Sequence, residues 1–267
     1  MPNKKLRQVL LTMALILFFG GHALADMMDH VEMDTPDMNE AEMTREELIQ
    51  LLEKSSPQNP VDLSSIRLSS LDLRNVDFKG ANLRSARMNK TDLRGANLSQ
   101  VNLDIAWMLG ANLEGANLSG ASLFSTQMMR ANLKNANLSK ARIVANLSHA
   151  NLEGADMTEA NMAADMKNQS MGLMRLVARS ATLDNANMTG SKAGRADFEF
   201  ASLQGANLEN ADFNGTELAG ADFTGANVKG LNIDGADVAT TRLLKLKNVS
   251  EMIGLDTTKN RDDAILK

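Results

Sequence analysis

The residues best suited to bind a metal lie near the N-terminus. Thioether, imidazole and carboxylate groups are mixed there, at Asp26, Met27, Met28, Asp29, His30, Met33, Met38 and Met43. Such ligands suit Cu(I). Their spacing matches no fixed metal template, and acidic tails of this kind are usually disordered. The segment therefore predicts an acidic, Met-rich disordered tail over residues 26–43 and no metal site, with copper handling kept as an alternative.

Catalytic side chains are scarce in the rest of the chain. The sequence has no Cys, no Tyr and only three His, which excludes disulfides, thiolate metal sites and a Cys nucleophile. Few side chains can therefore exchange protons near neutral pH. His149 falls at a corner of the repeat described below, where a solvent-facing residue is expected rather than a catalyst. We expect no enzyme, no catalytic residue and no cofactor.

The first 25 residues have the three parts of a secretory signal peptide. These are a basic start with Lys4, Lys5 and Arg7, an apolar run over residues 9–19, and a small-residue exit ending at Ala25. The apolar run is about half of the ~20 residues that a membrane-spanning helix needs. The sequence predicts cleavage after Ala25, a periplasmic or secreted location and no transmembrane segment after cleavage.

An apolar residue recurs every five positions over residues 63–143, as in the stretch ANLEG-ANLSG-ASLFS at 111–125. A small residue usually stands two positions before each apolar centre, and Asn or Asp one position before it. A period of five fits neither the helical period of 3.6 nor the strand period of 2. If the small residue and the centre point inward, Asn or Asp points outward and the Gly, Ser and Asn residues turn the chain. The pattern predicts a short strand and a corner, repeated as a polygonal coil.

The register of the repeat shifts inside the chain. The centres slip by one residue at Leu147, slip again at Met166 and return to the original register by Leu183. The irregular segment over residues 163–180 contains apolar residues and the basic residues Lys167, Arg175 and Arg179. Irregular segments on rigid scaffolds often bind partners. A bulged coil and a binding loop both remain open for this segment.

Both ends of the repeat region are predicted to be covered. The sequence from Thr44 to Glu47 is a capping box followed by apolar residues, which predicts a short capping helix over residues 44–56. Beyond Leu243 the repeat pattern is lost. Residues 244–267 are therefore predicted to form a C-terminal cap and a polar tail.

Tandem A-[N/D]-L-x-x units over residues 61–243 resemble the pentapeptide-repeat family. The resemblance implies an all-β fold, a right-handed four-sided β-helix solenoid with four pentapeptides in each coil. It also implies that Leu or Phe centres fill the interior and that Ala packs behind them. Nine such coils would form a rod of about 45 Å at the usual spacing between strands.

Charge bears on the choice of partner. The best-understood members of this family resemble B-form DNA and bind type II topoisomerases. This chain has an export signal, and residues 61–243 contain 18 basic and 19 acidic residues, with the basic ones concentrated in the first coils. An acidic N-terminal segment folded over those coils is also possible.

The sequence favours a non-enzymatic exported solenoid that binds a protein or itself, or acts as a scaffold, and no nucleic acid. The alternatives are a topoisomerase-directed DNA mimic, a copper-handling protein and an inert structural rod.

The predicted partner site centres on Trp107, the only Trp in the chain. Trp107 takes the outward place that Asn or Asp normally holds. A twenty-residue coil would stack it in a column with Arg67, Arg87 and Gln127. We therefore expect Trp107, Leu109, Phe124 and Met129 to form one exposed apolar group, of the kind that anchors interfaces.

Overall fold

The computed structural model of this chain describes residues 35–56, 58–166 and 174–266. The predicted signal peptide over residues 1–25 lies outside the described residues. So do residues 26–34 of the predicted tail, with His30, and residues 167–173 of the irregular segment.

Backbone pairing in the coil is parallel and joins residues twenty apart, as in the bridge between Asn97 and Asn117. Each five-residue unit contributes one bridging residue, so four columns of bridges run along the rod. The strands expected from the sequence are reduced to these single-residue bridges throughout the described ranges. The reason is the turn that follows. In the unit 111–115, the N–H of Ala116 donates to the carbonyl of Leu113 at 2.9 Å, which leaves only three residues for each edge.

The fifth position of each unit adopts a left-handed backbone conformation, for example φ 65° at Gly115 and 57° at Ser125. A positive φ at this point of a four-residue turn is the mark of a type II turn. Gly and Asn tolerate this conformation best. The turn chemistry thus explains the composition of the corners.

The first and third positions of each unit face the core, where Ala116 and Leu118 are fully buried. One continuous hydrophobic cluster runs from Leu48 to Leu243. The sizes of core side chains are matched between neighbouring coils. Ala178 and Ala193 occupy third positions, and twenty residues later stand Phe198 and Phe213, whose rings stack 5.3 Å apart. A small residue in one coil leaves room for a ring in the next.

Asn and Asp at the second position complete the backbone hydrogen bonding. The Oδ1 atom of Asn117 accepts from the N–H of Ser119 at 3.1 Å, and its Nδ2 atom donates to Oδ1 of Asn97 at 3.2 Å. The first bond is the local Asx type. The second links one coil to the next. Outward-facing Asn and Asp therefore stabilise the turn that follows them.

The register shift predicted at Leu147 is present. Gln127 bridges to Asn146 after 19 residues, because the corner after Ile143 is one residue shorter. Asn146 then bridges to Val177 after 31 residues, eleven more than a regular coil. The prediction that Met166 is a core centre is wrong, because Met166 is 44% exposed.

The eleven extra residues form an insertion closed at its base. The N–H of Asp165 donates to the carbonyl of Met174 at 2.8 Å. Leu176 is fully buried and lies directly before the bridge at Val177, so residues 174–180 belong again to the coil. The irregular segment is therefore shorter than the predicted range 163–180.

Two helices precede the coil, α1 (Pro36–Asn39) and α2 (Arg45–Glu53). In α2 the Thr44 side chain accepts from the N–H of Glu47, and the Glu47 carboxylate accepts from the N–H of Thr44. Leu48 and Leu52 of α2 belong to the same hydrophobic cluster as the first coil. No helix in the described ranges is long and apolar enough to cross a membrane.

The prediction of a disordered tail is wrong for residues 35–43. Met38 is only 9% exposed, and its carbonyl accepts from Nδ2 of Asn89 at 3.0 Å. Asp37 and Glu42 form ion pairs with Arg67 at 2.8 and 3.0 Å. An apolar anchor and opposite charges thus hold this acidic segment against the basic first coils.

The prediction of a polar tail after Leu243 is also wrong for the described residues. Lys247, Ile253, Lys259 and Ile265 continue the four columns of bridges at a spacing of six. The 3₁₀ turns Val249–Glu251 and Arg261–Asp263 lie in two of the longer corners. The repeat motif is absent here because each corner has gained a residue, but the backbone pairing persists.

Candidate functional site

Of the four columns of bridges in the described ranges, one contains the fewest Asn and Asp residues. We call the surface around this column the Trp107 face. Its bridging residues are, in order, Arg67, Arg87, Trp107, Gln127, Asn146, Val177, Asp197, Glu217, Asp237 and Lys259. By contrast, the column two units further along each coil consists of Asp77, Asn97, Asn117, Asn137, Asp156, Asn187, Asn207, Asn227 and Lys247. The Trp107 face carries basic residues in its first two coils and acidic ones in the coils after the insertion.

The departure removes the local acceptor that Asn or Asp supplies to the turn. Side chains at the corner of the preceding coil replace it. The N–H of Asn89 donates to Oγ of Ser69 at 3.2 Å, and the N–H of Leu109 donates to Oδ1 of Asn89 at 2.9 Å. A buried N–H without a partner costs about 1–3 kcal/mol. The Trp107 face therefore keeps its backbone satisfied by a different set of residues.

The structure contradicts the predicted exposure of Trp107. Its side chain lies in the predicted column but is only 9% exposed, and Leu109 and Met129 are half-buried. A large indole at an outward position is more stable when it packs against the coil surface, because packing removes its apolar area from water. The next residue of the column, Gln127, has a buried Oε1 with no hydrogen-bond partner among the described residues. The residues at the centre of the Trp107 face are thus less exposed to solvent than the sequence predicts.

Phe124 has different surroundings from the other three predicted residues. The Arg142 guanidinium lies 5.1 Å from the centre of its ring, which is a cation–π contact. Arg142 also pairs with Asp165 at 3.3 Å, at the base of the insertion. A depression of about 290 Å³ is lined by Asp104, Ser122, Phe124, Arg142 and Asp165. The four predicted residues therefore do not form one exposed apolar group.

The basic end of the Trp107 face is partly occupied by the chain itself. Residues 35–43 lie across Arg67, and Nζ of Lys90 is 3.5 Å from Oδ1 of Asn39. Arg87, the next residue of the column, is half-buried and has no ion-pair partner within the described part of the chain. Among the described residues, the guanidinium of Arg87 is therefore left without an ion pair at this end of the face.

Asn89 is the residue that sequence reasoning missed. It is 2% exposed, donates to the carbonyl of Met38 and accepts from the N–H of Leu109. It joins the N-terminal segment to two successive coils. Its signal in the sequence is an Asn at the fourth position of a unit whose second position is Arg87 rather than Asn or Asp.

The acidic part of the face contains a buried carboxylate. Asp197 is fully buried and accepts from Nε of Arg179 at 2.7 Å and from Nη2 of Arg175 at 3.2 Å. The same arginines also pair with Glu199 at 3.0 Å and with Glu217 at 3.6 Å. This network fixes the point where the chain re-enters the coil after the insertion.

The other predicted features lie in ordinary surroundings. His149 is exposed at a left-handed corner position, with φ 61°. Met38 is buried and Met43 packs against the core, so both thioethers contribute to packing. Among residues 35–56, 58–166 and 174–266, no group of three or more His, Cys, Asp or Glu side chains is placed to hold a metal ion.

Eight copies of the family model for pentapeptide repeats match residues 62–100, 108–143, 145–163, 181–216 and 201–238, more than half of the chain. Among curated proteins, none matches. One similar solved structure is HetL, a pentapeptide repeat protein involved in heterocyst differentiation regulation from the cyanobacterium Nostoc. It is 23% identical, the match covers 84% of this chain and 94% of HetL, and the TM-score is 0.50.

Two further solved structures are more distant. A trypsin-treated form of QnrB1, a plasmid-mediated fluoroquinolone resistance protein, is 14% identical over 73% of this chain and 92% of QnrB1, with a TM-score of 0.41. A pentapeptide repeat protein from the Arabidopsis thaliana thylakoid lumen is 21% identical over 72% of this chain and 86% of that protein, with a TM-score of 0.15. The family matches, the twenty-residue coil and the likeness of fold to HetL lead to one conclusion: this chain belongs to the pentapeptide-repeat family.

Proposed function

We propose that this chain is a non-enzymatic, exported solenoid that binds another protein, or a second copy of itself, through the Trp107 face. The proposal keeps the right-handed, four-sided form that the family resemblance implies, with α2 covering the first coil. The observation that carries it is that this column departs furthest from the Asn/Asp pattern in the described ranges, since the change brings Arg67, Arg87 and Trp107 to one surface.

A regular column of Asn and Asp uses its side chains to stabilise the coil. Asn97 and Asn117 donate and accept within the rod, so they have less capacity left for a partner. Arg67, Arg87 and Trp107 lack the side-chain amide or carboxylate that this role needs. Arg is also enriched at the centres of protein interfaces. A rigid rod that presents such a face suits binding or scaffolding.

Two of the alternative functions find less support. A DNA mimic needs a uniformly acidic surface, whereas Arg67 and Arg87 lie on the face that departs from the pattern. Copper handling would use the thioethers of the N-terminal segment, of which Met38 and Met43 are engaged in packing. The inert structural rod is left as an outcome of the experiment below.

The test is chemical cross-linking of the full-length protein in the exported fraction, followed by identification of what co-purifies. Arg87→Glu should reduce recovery of the partner, or of a cross-linked dimer, at least about tenfold, because reversing an interface charge is strongly unfavourable. The matched control is Lys140→Glu, the same charge reversal at a residue that is 72% exposed and lies outside the face. Equal recovery with both variants would place the interface elsewhere, and no specific product from the wild type would favour the inert rod.

Localisation is tested in the same preparation. We expect the N-terminus of the exported protein to be Asp26. A cytoplasmic pool that retains residues 1–25 would contradict export and would bring back the DNA mimic.

A further inference from the structure

The N-terminal segment shows which chemistry the basic end of the Trp107 face accepts. Two carboxylates, from Asp37 and Glu42, bind the guanidinium of Arg67. One apolar side chain, Met38, is buried against the coil. These contacts define an acidic peptide with one apolar anchor.

The coil also binds the backbone of this segment. Nδ2 of Asn89 donates to the carbonyl of Met38 at 3.0 Å, and Oγ of Ser70 donates to the carbonyl of Asn39 at 3.2 Å. The N–H of Glu42 donates to the carbonyl of Arg67 at 3.0 Å. Backbone bonds of this kind do not depend on the identity of the side chains. The same positions can therefore accept the backbone of another peptide.

The receiving side of this contact is built into the rod. The Asn89 side chain accepts from the N–H of Leu109, and the backbone N–H of Asn89 donates to Oγ of Ser69. The segment, by contrast, is joined to the rod through ion pairs whose side chains are 31–69% exposed, and such pairs contribute only about 0–1 kcal/mol each. The charged part of the site is therefore held by weak ion pairs, for which an acidic partner can compete.

The site has more positive charge than residues 35–43 neutralise. Arg87 stands next to Arg67 in the column and has no ion-pair partner within the described ranges. A peptide with a further carboxylate near its anchor would reach this guanidinium, with which residues 35–43 form no ion pair.

We infer that the basic end of the Trp107 face, formed by Arg67, Ser70, Arg87 and Asn89, is a binding site for an acidic peptide segment of a partner protein with one apolar anchor. The chain's own residues 35–43 occupy this site and compete with the partner. The inference rests on the proposed protein-binding function of the face and specifies the class of partner. A tethered segment acts at an effective concentration in the millimolar range, so it regulates access to the site.

The experiment uses the full chain with Asp37→Ala and Met38→Asp, which releases the segment and leaves the receiving residues unchanged. The probe is a synthetic peptide with the sequence of residues 35–43, labelled for fluorescence anisotropy. A segment that is docked about 90% of the time weakens an external peptide about tenfold. We therefore expect the released variant to bind the peptide about tenfold more tightly than the wild type.

Three controls define the site. Adding Arg67→Glu to the released variant should abolish binding, adding Lys140→Glu should not change it, and a peptide carrying Met38→Asp should not bind. A second peptide, extended by two Asp residues at its N-terminus, should bind more tightly to the released variant but not after Arg87→Glu. Circular dichroism verifies that each variant is folded.

The inference is wrong if a folded released variant does not bind the peptide at millimolar concentration, or binds it equally well after Arg67→Glu. This result is independent of the cross-linking experiment. Peptide binding without a cross-linked partner would reject the proposed function alone, and a partner lost with Arg87→Glu without peptide binding would reject the acidic-peptide site alone.

Discussion

At the scale of the residue, inward and outward positions have separate roles. Leu118 is fully buried, and the residue before it, Asn117, satisfies the N–H of Ser119. The five-residue spacing was sufficient to predict which of the two points inward. It was not sufficient to predict the hydrogen bonds of Asn117, because its partner Asn97 lies twenty residues away.

Leu118→Asp should destabilise the protein far more than Asn117→Asp. The first change places an unpaired carboxylate in the core, which costs several kcal/mol. The second keeps the acceptor for Ser119 and loses only the donor to Asn97, which costs about 1 kcal/mol. Urea unfolding of the two variants measures the difference. Equal losses of stability would show that the assignment of inward and outward faces is incorrect.

At the scale of the element, the insertion is defined by the contacts at its base. The hydrophobic residues of the insertion did not predict that Arg175 and Arg179 anchor the chain after it, because their partner Asp197 belongs to the next coil. The same limitation applies to α1, whose contacts with Arg67 and Asn89 connect residues that are far apart in sequence. The capping box of α2, by contrast, is a local pattern and was predictable from Thr44 and Glu47.

Asp197→Ala should loosen the point where the chain re-enters the coil. Breaking a buried ion pair by removing one partner typically costs about 3–5 kcal/mol, because the other charge is left uncompensated. Here the arginines keep Glu199 and Glu217, so we expect the lower end of that range. Glu159→Ala is the control, since its pair with Lys140 is well exposed and contributes about 0–1 kcal/mol. Thermal unfolding compares the two, and a loss no larger than that of the control would contradict the anchoring role.

At the scale of the whole molecule, the carboxylates of the described residues whose pKa is lowered are unevenly distributed. Hydrogen bonds from Arg74 hold the pKa of Asp72 below its usual range, and hydrogen bonds from Arg94 do the same for the pKa of Asp92. The backbone N–H of Thr44 lowers the pKa of Glu47. These residues all lie in α2 and the first coils.

Lowering the pH should therefore destabilise the N-terminal coils before the later coils. A carboxylate whose pKa is lowered by folding contributes stability above its unfolded pKa, which is about 4, and this stability is lost as the pH falls through the lower folded value. Hydrogen exchange read by mass spectrometry at pH 7 and pH 3 tests this. Residues 45–94 should lose protection before residues 200–240, and the reverse order would contradict the distribution described above.

The six-residue spacing of the last described coil shows that the backbone ladders tolerate longer corners. Lys247, Ile253, Lys259 and Ile265 stand six residues apart, yet they pair with residues of the preceding coil that stand five apart. The extra residue of each unit therefore lies in the corner and leaves the ladder intact. A solenoid of this kind can thus extend beyond the point where its five-residue motif ends, and a sixth residue at a corner is an insertion that the fold accommodates.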